Sequence, residues 1–232
     1  MKRSKNYRKN LENFDAQKLY HVTEGVDILK KQQSVKFDET VEVSINLGVD
    51  PKKADQMIRG TVALPHGTGK KVKILVFCQP PKDKEAKEAG ADMVGMEEYV
   101  EKIQKGWFDA DVVVATPDAM KEVGKLGKFL GPKGVMPNPK AGTVTDDIAQ
   151  TVKQLKAGRI EFRVDKYGII HTIVGKCSFS SQQIIDNIKA LVQEVIRLRP
   201  TSSKGLYVKG VTLSSTMGPG IKLDNASLLR KE

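Results

Sequence analysis

The sequence has little cysteine, few aromatic residues and no long apolar run. Its two cysteines, Cys78 and Cys177, lie far apart without a CxxC pair, which argues against a zinc site or disulfide framework and favours buried, reduced thiols. Aromatic residues make up only 6% of the chain, so a broad base-stacking surface is not expected. No segment approaches the roughly 20 apolar residues that span a membrane, and no apolar core follows the basic start MKRSKNYRKN. We therefore expect a cytoplasmic protein that neither crosses a membrane nor is secreted.

Motifs for nucleotide binding or catalysis are also lacking. The segment PHGTGKK (65–71) has Leu64 where a phosphate-binding loop needs glycine, and Lys71 where it needs serine or threonine. We interpret it as a turn between domains. No GxGxxG follows the apolar run at 71–77, and the three histidines lie in unrelated segments without the partners of a catalytic triad. The sequence thus predicts no cofactor, no metal site and no catalytic residue.

What the sequence does have is positive charge. It carries 39 lysines and arginines against 28 acidic residues, a net charge of +11, which makes a polyanion the leading class of partner. Residues 1–66 and 159–232 together contain 24 basic and 15 acidic residues, whereas residues 67–158 contain 15 and 13. We expect the polyanion to bind the outer segments of the chain.

Residues 67–158 alternate between strand and helix patterns. The apolar runs KVKILVF (71–77) and DVVVAT (111–116) predict buried strands. Helical patterns follow each of them, and the last helix is predicted to be capped by Thr145 or Asp146 and to end at Gly158. This order indicates an α/β unit with a mainly parallel sheet.

The flanking segments have a different pattern. VEVSINL (41–47) alternates apolar and polar residues like a half-buried strand, and IEFRV and IIHTIV flank DKYG (165–168) like the arms of a β-hairpin. A long amphipathic helix and a last strand follow, and neither flank could form a core alone. We therefore predict that residues 67–158 are a domain inserted between 1–66 and 159–232, with hinges at Gly67 and Gly158.

Two short segments of the flanks are candidates for RNA contact. KFDETVEV (36–43) places charge, a stacking surface and a hydroxyl close together at the start of a strand, although Phe37 could equally be a core residue. SSTMGPG (214–220) combines small hydroxyls with glycines that permit close approach of the backbone, and Met217 adds a flexible apolar surface.

Several segments together resemble one protein family, the L-one family of large-subunit ribosomal proteins in its bacterial form. In chain order they are KFDETVEV, LGVDPKKADQMIRGTVALPHGTGK, WFDADVVVATP, LGPKGVMPNPKAGTVT, AGRIEFRVDKYGIIH and SSTMGPG. The resemblance covers nearly the whole chain. It implies an α/β and α+β protein of two domains: a discontinuous α+β sandwich built from both chain ends, and an inserted Rossmann-like three-layer α/β domain.

The resemblance also implies a function. Such a protein is a structural constituent of the ribosome, alongside other ribosome components, and binds the mobile stalk of the large-subunit rRNA. It assists movement and release of exit-site tRNA and represses its own operon by binding the messenger RNA. The RNA-contacting positions of the family carry over to Lys36, Phe37, Thr40, Glu42, Asp165, Lys166, His171, Ser214, Thr216, Met217 and Gly218.

Two further points stay open at this stage. Lys133 and Lys140, in the Pro- and Gly-rich segment FLGPKGVMPNPKAGTV (129–144), are additional candidates for contact with RNA or tRNA. The alternatives to a ribosomal role are a nucleotide-dependent α/β enzyme with basic flanks and a general nucleic-acid chaperone.

Overall fold

A computed structural model describes residues 4–32, 35–80 and 82–229. Its helices are α1 (Lys5–Glu12), α2 (Val22–Lys31), α3 (Lys82–Glu88), α4 (Glu97–Gln104), α5 (Met120–Lys125), α6 (Gly127–Leu130), α7 (Ile148–Lys156), α8 (Ser181–Arg197) and α9 (Asn225–Leu229). Its strands are β1 (Thr40–Leu47), β2 (Arg59–Ala63), β3 (Ile74–Phe77), β4 (Met93–Gly95), β5 (Val112–Ala115), β6 (Arg159–Arg163), β7 (Ile169–Lys176), β8 (Val208–Ser215) and β9 (Ile221–Leu223). Short 3-10 helices cover Ala54–Gln56 and Pro139–Ala141.

The chain divides into two compact units. The outer unit comprises Met1–Gly69 and Ile160–Glu232, and the inserted unit comprises Lys70–Arg159. Each unit contains its own buried apolar clusters. The division falls a few residues after the predicted entry at residue 67 and one residue after the predicted exit at Gly158.

The main sheet of the outer unit has the order β7-β1-β8-β9 and is antiparallel. Strand β1 therefore lies between two strands from the C-terminal part of the chain. Its apolar residues alternate as predicted, since Val41, Val43, Ile45 and Leu47 are all buried. They pack with apolar residues of α2 and α8 in one core, which leaves the other face of the sheet uncovered by these helices.

Helix α8 is the longest helix and begins with a capping box. The Ser180 hydroxyl accepts the Gln183 N–H at 3.2 Å, and the Gln183 side chain accepts the Ser180 N–H at 2.9 Å. These two bonds satisfy backbone donors that a helix start otherwise leaves unpaired. The helix buries Ile184, Ile188, Leu191 and other residues at helical spacing, as the sequence predicts.

The predicted hairpin at residues 165–168 is wrong in its pairing. Strand β6 pairs with β2, β7 pairs with β1, and a single bridge between Val164 and Ile170 joins the two segments. The turn itself is tight, because the Asp165 carboxylate accepts the N–H groups of Tyr167 and Ile169, each at 2.8 Å. The polar tetrapeptide reverses the chain, but each arm finds a better partner in a separate sheet.

The inserted unit has three layers, in agreement with the predicted fold class. Its parallel sheet has the order β4-β3-β5. Leu75 and Phe77 face a core that includes residues of α4, α5 and α6, whereas Ile74 and Val76 face a core with residues of α3 and α7. Continuous apolar strands of this kind are expected where both faces of a parallel sheet are covered.

The cap of α7 differs from the prediction by one or two residues. Asp147 is the N-cap, and its carboxylate accepts the Gln150 N–H at 3.1 Å. Thr145 instead accepts the Asp147 N–H at 3.1 Å, and Asp146 forms an ion pair with Lys82 at 2.8 Å. Of three neighbouring capping residues, the one nearest the first helical residue is used.

The Pro- and Gly-rich segment 129–144 is an ordered loop. Thr143 Oγ1 accepts the Asn138 N–H at 2.8 Å, and Val144 forms a parallel bridge with Ala115 at the end of β5. Lys133 Nζ lies 4.4 Å from the centroid of the Phe108 ring. The side chain of Lys140 lies outside the described part of the structure, so its predicted contact stays a prediction.

The turn at residues 65–69 is tied to α8 by a buried amide. Asn187, which is fully buried, accepts the His66 N–H at 3.1 Å and donates to the carbonyls of Gly67 at 3.0 Å and Val174 at 2.7 Å. Gly67 and Gly158 have φ values of 67° and 102°, which favour glycine. Their role as hinges stays a prediction. Within the described ranges, no helix has the length and apolar character needed to cross a bilayer.

Candidate nucleic-acid interface

The uncovered face of the outer sheet is lined by polar side chains. In the strand register, Ser44 lies opposite His171 on β7 and Thr212 on β8, while Glu42 lies opposite Ser214. We call these five residues the polar face. The hydroxyl of Ser44 and Nδ1 of His171 are 3.0 Å apart, so neighbouring strands are also joined through their side chains. The sequence-predicted residues Glu42, His171 and Ser214 are thus brought onto one surface.

Beyond one end of the polar face, the loop after β8 is fastened to the start of β1. The Thr40 N–H donates to Thr216 Oγ1 at 3.0 Å, and the Thr216 N–H donates to the Thr40 carbonyl at 3.1 Å. Lys176 Nζ donates to Thr40 Oγ1 at 2.8 Å. The predicted residues Thr40 and Thr216 are therefore direct partners.

The same loop leaves Met217 outward and needs glycine at position 218. The Met217 side chain is 56% exposed, while its N–H lies 3.5 Å from a carboxylate oxygen of the buried Glu39. A Cβ on Gly218 would lie 2.5 Å from Ser215 Oγ, which is closer than nonbonded atoms approach. The Gly218 N–H also donates to the Ser215 carbonyl at 3.2 Å. A tight, hydrogen-bonded loop therefore presents one large apolar side chain to solvent.

Lys36 and Phe37 lie in the segment that leads into β1, and both are exposed. The alternative that Phe37 is a core residue is wrong, since 52% of its surface is accessible. The following residue, Asp38, accepts the Ser178 N–H at 3.1 Å and the Ser178 hydroxyl at 2.8 Å. These bonds hold the segment against the start of the helical layer and keep the phenyl ring outside it.

The remaining predicted residues lie near the opposite end of β1. An eight-residue strand spans about 23 Å, so Asp165 and Lys166 do not join Thr216 in one cluster. His171 on β7 lies between the two ends and reaches Asp165, with Nε2 3.6 Å from Oδ2. The backbone N–H of Ile169 and then that of Tyr167 hold the pKa of the Asp165 carboxyl below its usual range. Lys166 lies 5.1 Å from the ring of Tyr167, which is 71% exposed.

Sequence reasoning missed part of this surface. Thr212 and Lys222 are paired across β8 and β9, and Thr212 also lies beside Ser44. Alternation could have assigned Ser44 and Thr212 to outward positions, but only the register of four strands shows that they share a row. Lys176, the partner of Thr40, is 136 residues away in sequence and carried no local signal.

The fold and this surface define an RNA-binding protein. A sheet with one polar, uncovered face, flanked by exposed apolar and basic side chains, presents hydroxyls, a carboxylate, an imidazole and stacking surfaces together. Among the described residues, no group of three or more metal-ligating side chains occurs.

Comparison with known proteins identifies the family. A sequence model of the ribosomal protein L1p/L10e family matches residues 29–219. The chain is 55% identical over 224 residues to the large ribosomal subunit protein uL1 of Thermobifida fusca (strain YX), covering 97% of this chain and 95% of the relative. It is 57% identical over 221 residues to uL1 of Protochlamydia amoebophila (strain UWE25), covering 95% and 94%. The chain belongs to the ribosomal protein L1p/L10e family.

Family membership excludes one of the functional classes left open by the sequence. The protein is a component of the large ribosomal subunit and takes part in translation through RNA binding. It has a structural role and is not an enzyme, so the alternative of a nucleotide-dependent α/β enzyme is wrong. The resemblance noted in the sequence is confirmed.

Proposed function

We propose that the polar face and the Thr216–Gly218 loop bind the mobile stalk of the large-subunit rRNA. The observation that carries this proposal is the exposure of Phe37 and Met217 near the end of β1 where Thr40 and Thr216 bond. Exposing large apolar side chains on an ordered surface costs free energy that a bound partner recovers. An irregular RNA fold offers unstacked bases that can cover such side chains.

The side chains of this surface divide into two roles. Lys36 and other exposed lysines contact phosphates and contribute affinity that falls with salt. Glu42 cannot favour phosphate, because both are negative, so its carboxylate accepts hydrogen bonds from sugar hydroxyls or base amino groups. The hydroxyls of Thr216 and Ser214 act in the same way. Selectivity therefore arises from the sheet and the loop, and much of the affinity arises from the lysines.

The finer functions follow from this binding site. By holding the stalk, the protein assists the movement and release of exit-site tRNA. A messenger segment with the same irregular fold binds the same rigid surface, and this represses translation of the protein's own operon. The two RNAs compete, because both need Thr216 and Met217.

A specificity ratio tests the proposal. Affinities for an isolated stalk RNA and for an unrelated RNA duplex of equal length are measured at one physiological salt concentration. We expect the stalk RNA to be preferred by about a thousandfold or more, the scale of specific nucleic-acid recognition. A ratio near one would instead support a general nucleic-acid chaperone. Addition of the operon's leader RNA should displace the stalk RNA at stoichiometric concentration.

A further inference from the structure

Helix α1 has one buried and one exposed side, and the exposed side is basic. On the helix Asn10 is buried and Leu11 is half-buried, and Phe14, two residues after its end, packs against the core of the outer unit. The exposed stripe, here called the α1 stripe, consists of Lys5, Arg8, Lys9 and Glu12. These four residues are spaced i, i+3, i+4 and i+7, which places them within one side of a helix. The first ten residues of the chain contain five basic residues and no acidic ones.

The helix is held in place by a reciprocal pair of amides. Asn10 Nδ2 donates to the Gln32 carbonyl at 3.0 Å, and Gln32 Nε2 donates to the Asn10 carbonyl at 3.3 Å. Both residues are buried, so the bonds are shielded from competing water. Ser4 caps the helix by accepting the Tyr7 N–H at 3.2 Å. The α1 stripe therefore projects from a fixed position at the C-terminal end of α2.

This position is close to the proposed RNA site. Gln32 precedes Lys36 by four residues, so the two are at most about 14 Å apart. The exposed Lys31, which immediately precedes Gln32, adds to the positive charge. The stripe itself carries one carboxylate, Glu12, and Asp38 beside Phe37 is hydrogen-bonded to Ser178. A basic helix surface thus adjoins the end of the sheet that exposes Phe37.

We propose that the α1 stripe binds the phosphate backbone of the same RNA, beside the element that the polar face recognises. This inference rests on the proposed function. Phosphate contacts carry little sequence information, so α1 raises affinity without changing selectivity. An RNA that extends beyond the recognised element can contact the stripe directly. The protein does not have to change conformation for this contact, because the buried amides of Asn10 and Gln32 already hold α1 in place.

The test compares the full-length protein with the variant Lys5→Gln/Lys9→Gln. Glutamine has nearly the helix propensity of lysine, so α1 should remain folded, which circular dichroism and the melting temperature verify. Stalk RNA is titrated between about 50 and 200 mM salt. Loss of two phosphate contacts should reduce the slope of log affinity against log salt by about 1.4 to 1.8. The ratio of stalk RNA to unrelated duplex affinity, at fixed salt, should be unchanged.

A matched control removes the same charge elsewhere. Lys102→Gln/Lys105→Gln alters two exposed lysines, one on α4 and one at its C-cap, in the inserted unit and should leave the slope unchanged. An unaltered slope for the α1 variant, or an equal fall in the control, would overturn the proposal. If the salt slope of the α1 variant is unaltered but the variant is retained less well on assembled ribosomal subunits, the stripe binds an acidic protein surface instead of RNA. That result would also overturn the proposal. If the unmodified protein shows no preference for stalk RNA, the proposed function itself has failed.

Discussion

Thr40 and Thr216 are joined by hydrogen bonds in both directions across 176 residues of sequence. Thr216 Oγ1 accepts the Thr40 N–H at 3.0 Å, and the Thr40 carbonyl accepts the Thr216 N–H at 3.1 Å. The hydroxyl of Thr216 therefore completes the backbone pairing at the end of β1. The loop conformation that exposes Met217 therefore depends on the Thr216 side chain as well as on backbone hydrogen bonds.

Replacing Thr216 should weaken RNA binding through this pairing. In Thr216→Ala the Thr40 N–H loses its acceptor, and we expect a loss of about 1 to 3 kcal/mol in specific binding of stalk RNA. Thr216→Ser keeps the hydroxyl and should retain most of the affinity. Filter-binding titrations at one salt concentration measure both variants. Equal affinities for the alanine variant and the unmodified protein would contradict the assignment of this loop.

Replacing Met217 should weaken RNA binding without changing the stability of the fold. The side chain is more than half exposed, so Met217→Ala should change the melting temperature little. If a base covers this side chain, the variant loses about 1 to 3 kcal/mol of RNA affinity. Met57→Ala is the matched control, because Met57 is 45% exposed but precedes β2, which belongs to another sheet. The idea fails if both methionine variants bind RNA equally well.

The turn after β6 should depend on pH through Asp165. The lowered pKa means that the folded protein favours the ionised carboxylate, which accepts two backbone N–H groups. The stabilisation is therefore present above the unfolded pKa near 4 and is lost as pH falls through the lower, folded value. Asp165→Ala should be destabilised at pH 7, and urea unfolding should show this difference shrinking toward pH 3. A difference that stays constant over this range would refute the account.

The two thiols should be unreactive while the protein is folded. Burial raises the pKa of Cys78 to about 12 and that of Cys177 to about 11, so almost no thiolate exists at pH 8. A chromogenic disulfide reagent should label both cysteines rapidly in denaturant and only very slowly in native buffer. Rapid labelling of either thiol in native buffer would show that its burial is incomplete.

The parts of the fold that could be predicted are those with local signals. The alternation in residues 41–47 reports a strand with one buried face. The continuous apolar runs that end at Phe77 and Ala115 report strands that are buried on both faces. The turn of Asp165 was also predictable from its residue types. The pairing of its arms was not, because β2, the partner of β6, lies about a hundred residues earlier.

The candidate site shows the same division. Lys36, Thr40, Thr216 and Met217 were named because they match motifs of a known family, whereas exposure of Phe37 could not be decided from its neighbours. Lys222 reaches the row of Ser44 only through the pairing of β9 with β8. Such residues are defined by register between distant strands, and no short sequence pattern reports that register.

The central position of β1 has a consequence for the time at which the protein becomes active. Its two neighbours, β7 and β8, are synthesised more than a hundred residues after it, and the loop that presents Met217 follows β8. Contacts between such distant segments form slowly, since the chain must close long loops first. A growing chain thus lacks the proposed RNA site until β8 and the loop after it have emerged from the ribosome that made it. Any chain that ends before Met217 would therefore lack the loop on which the proposed recognition depends.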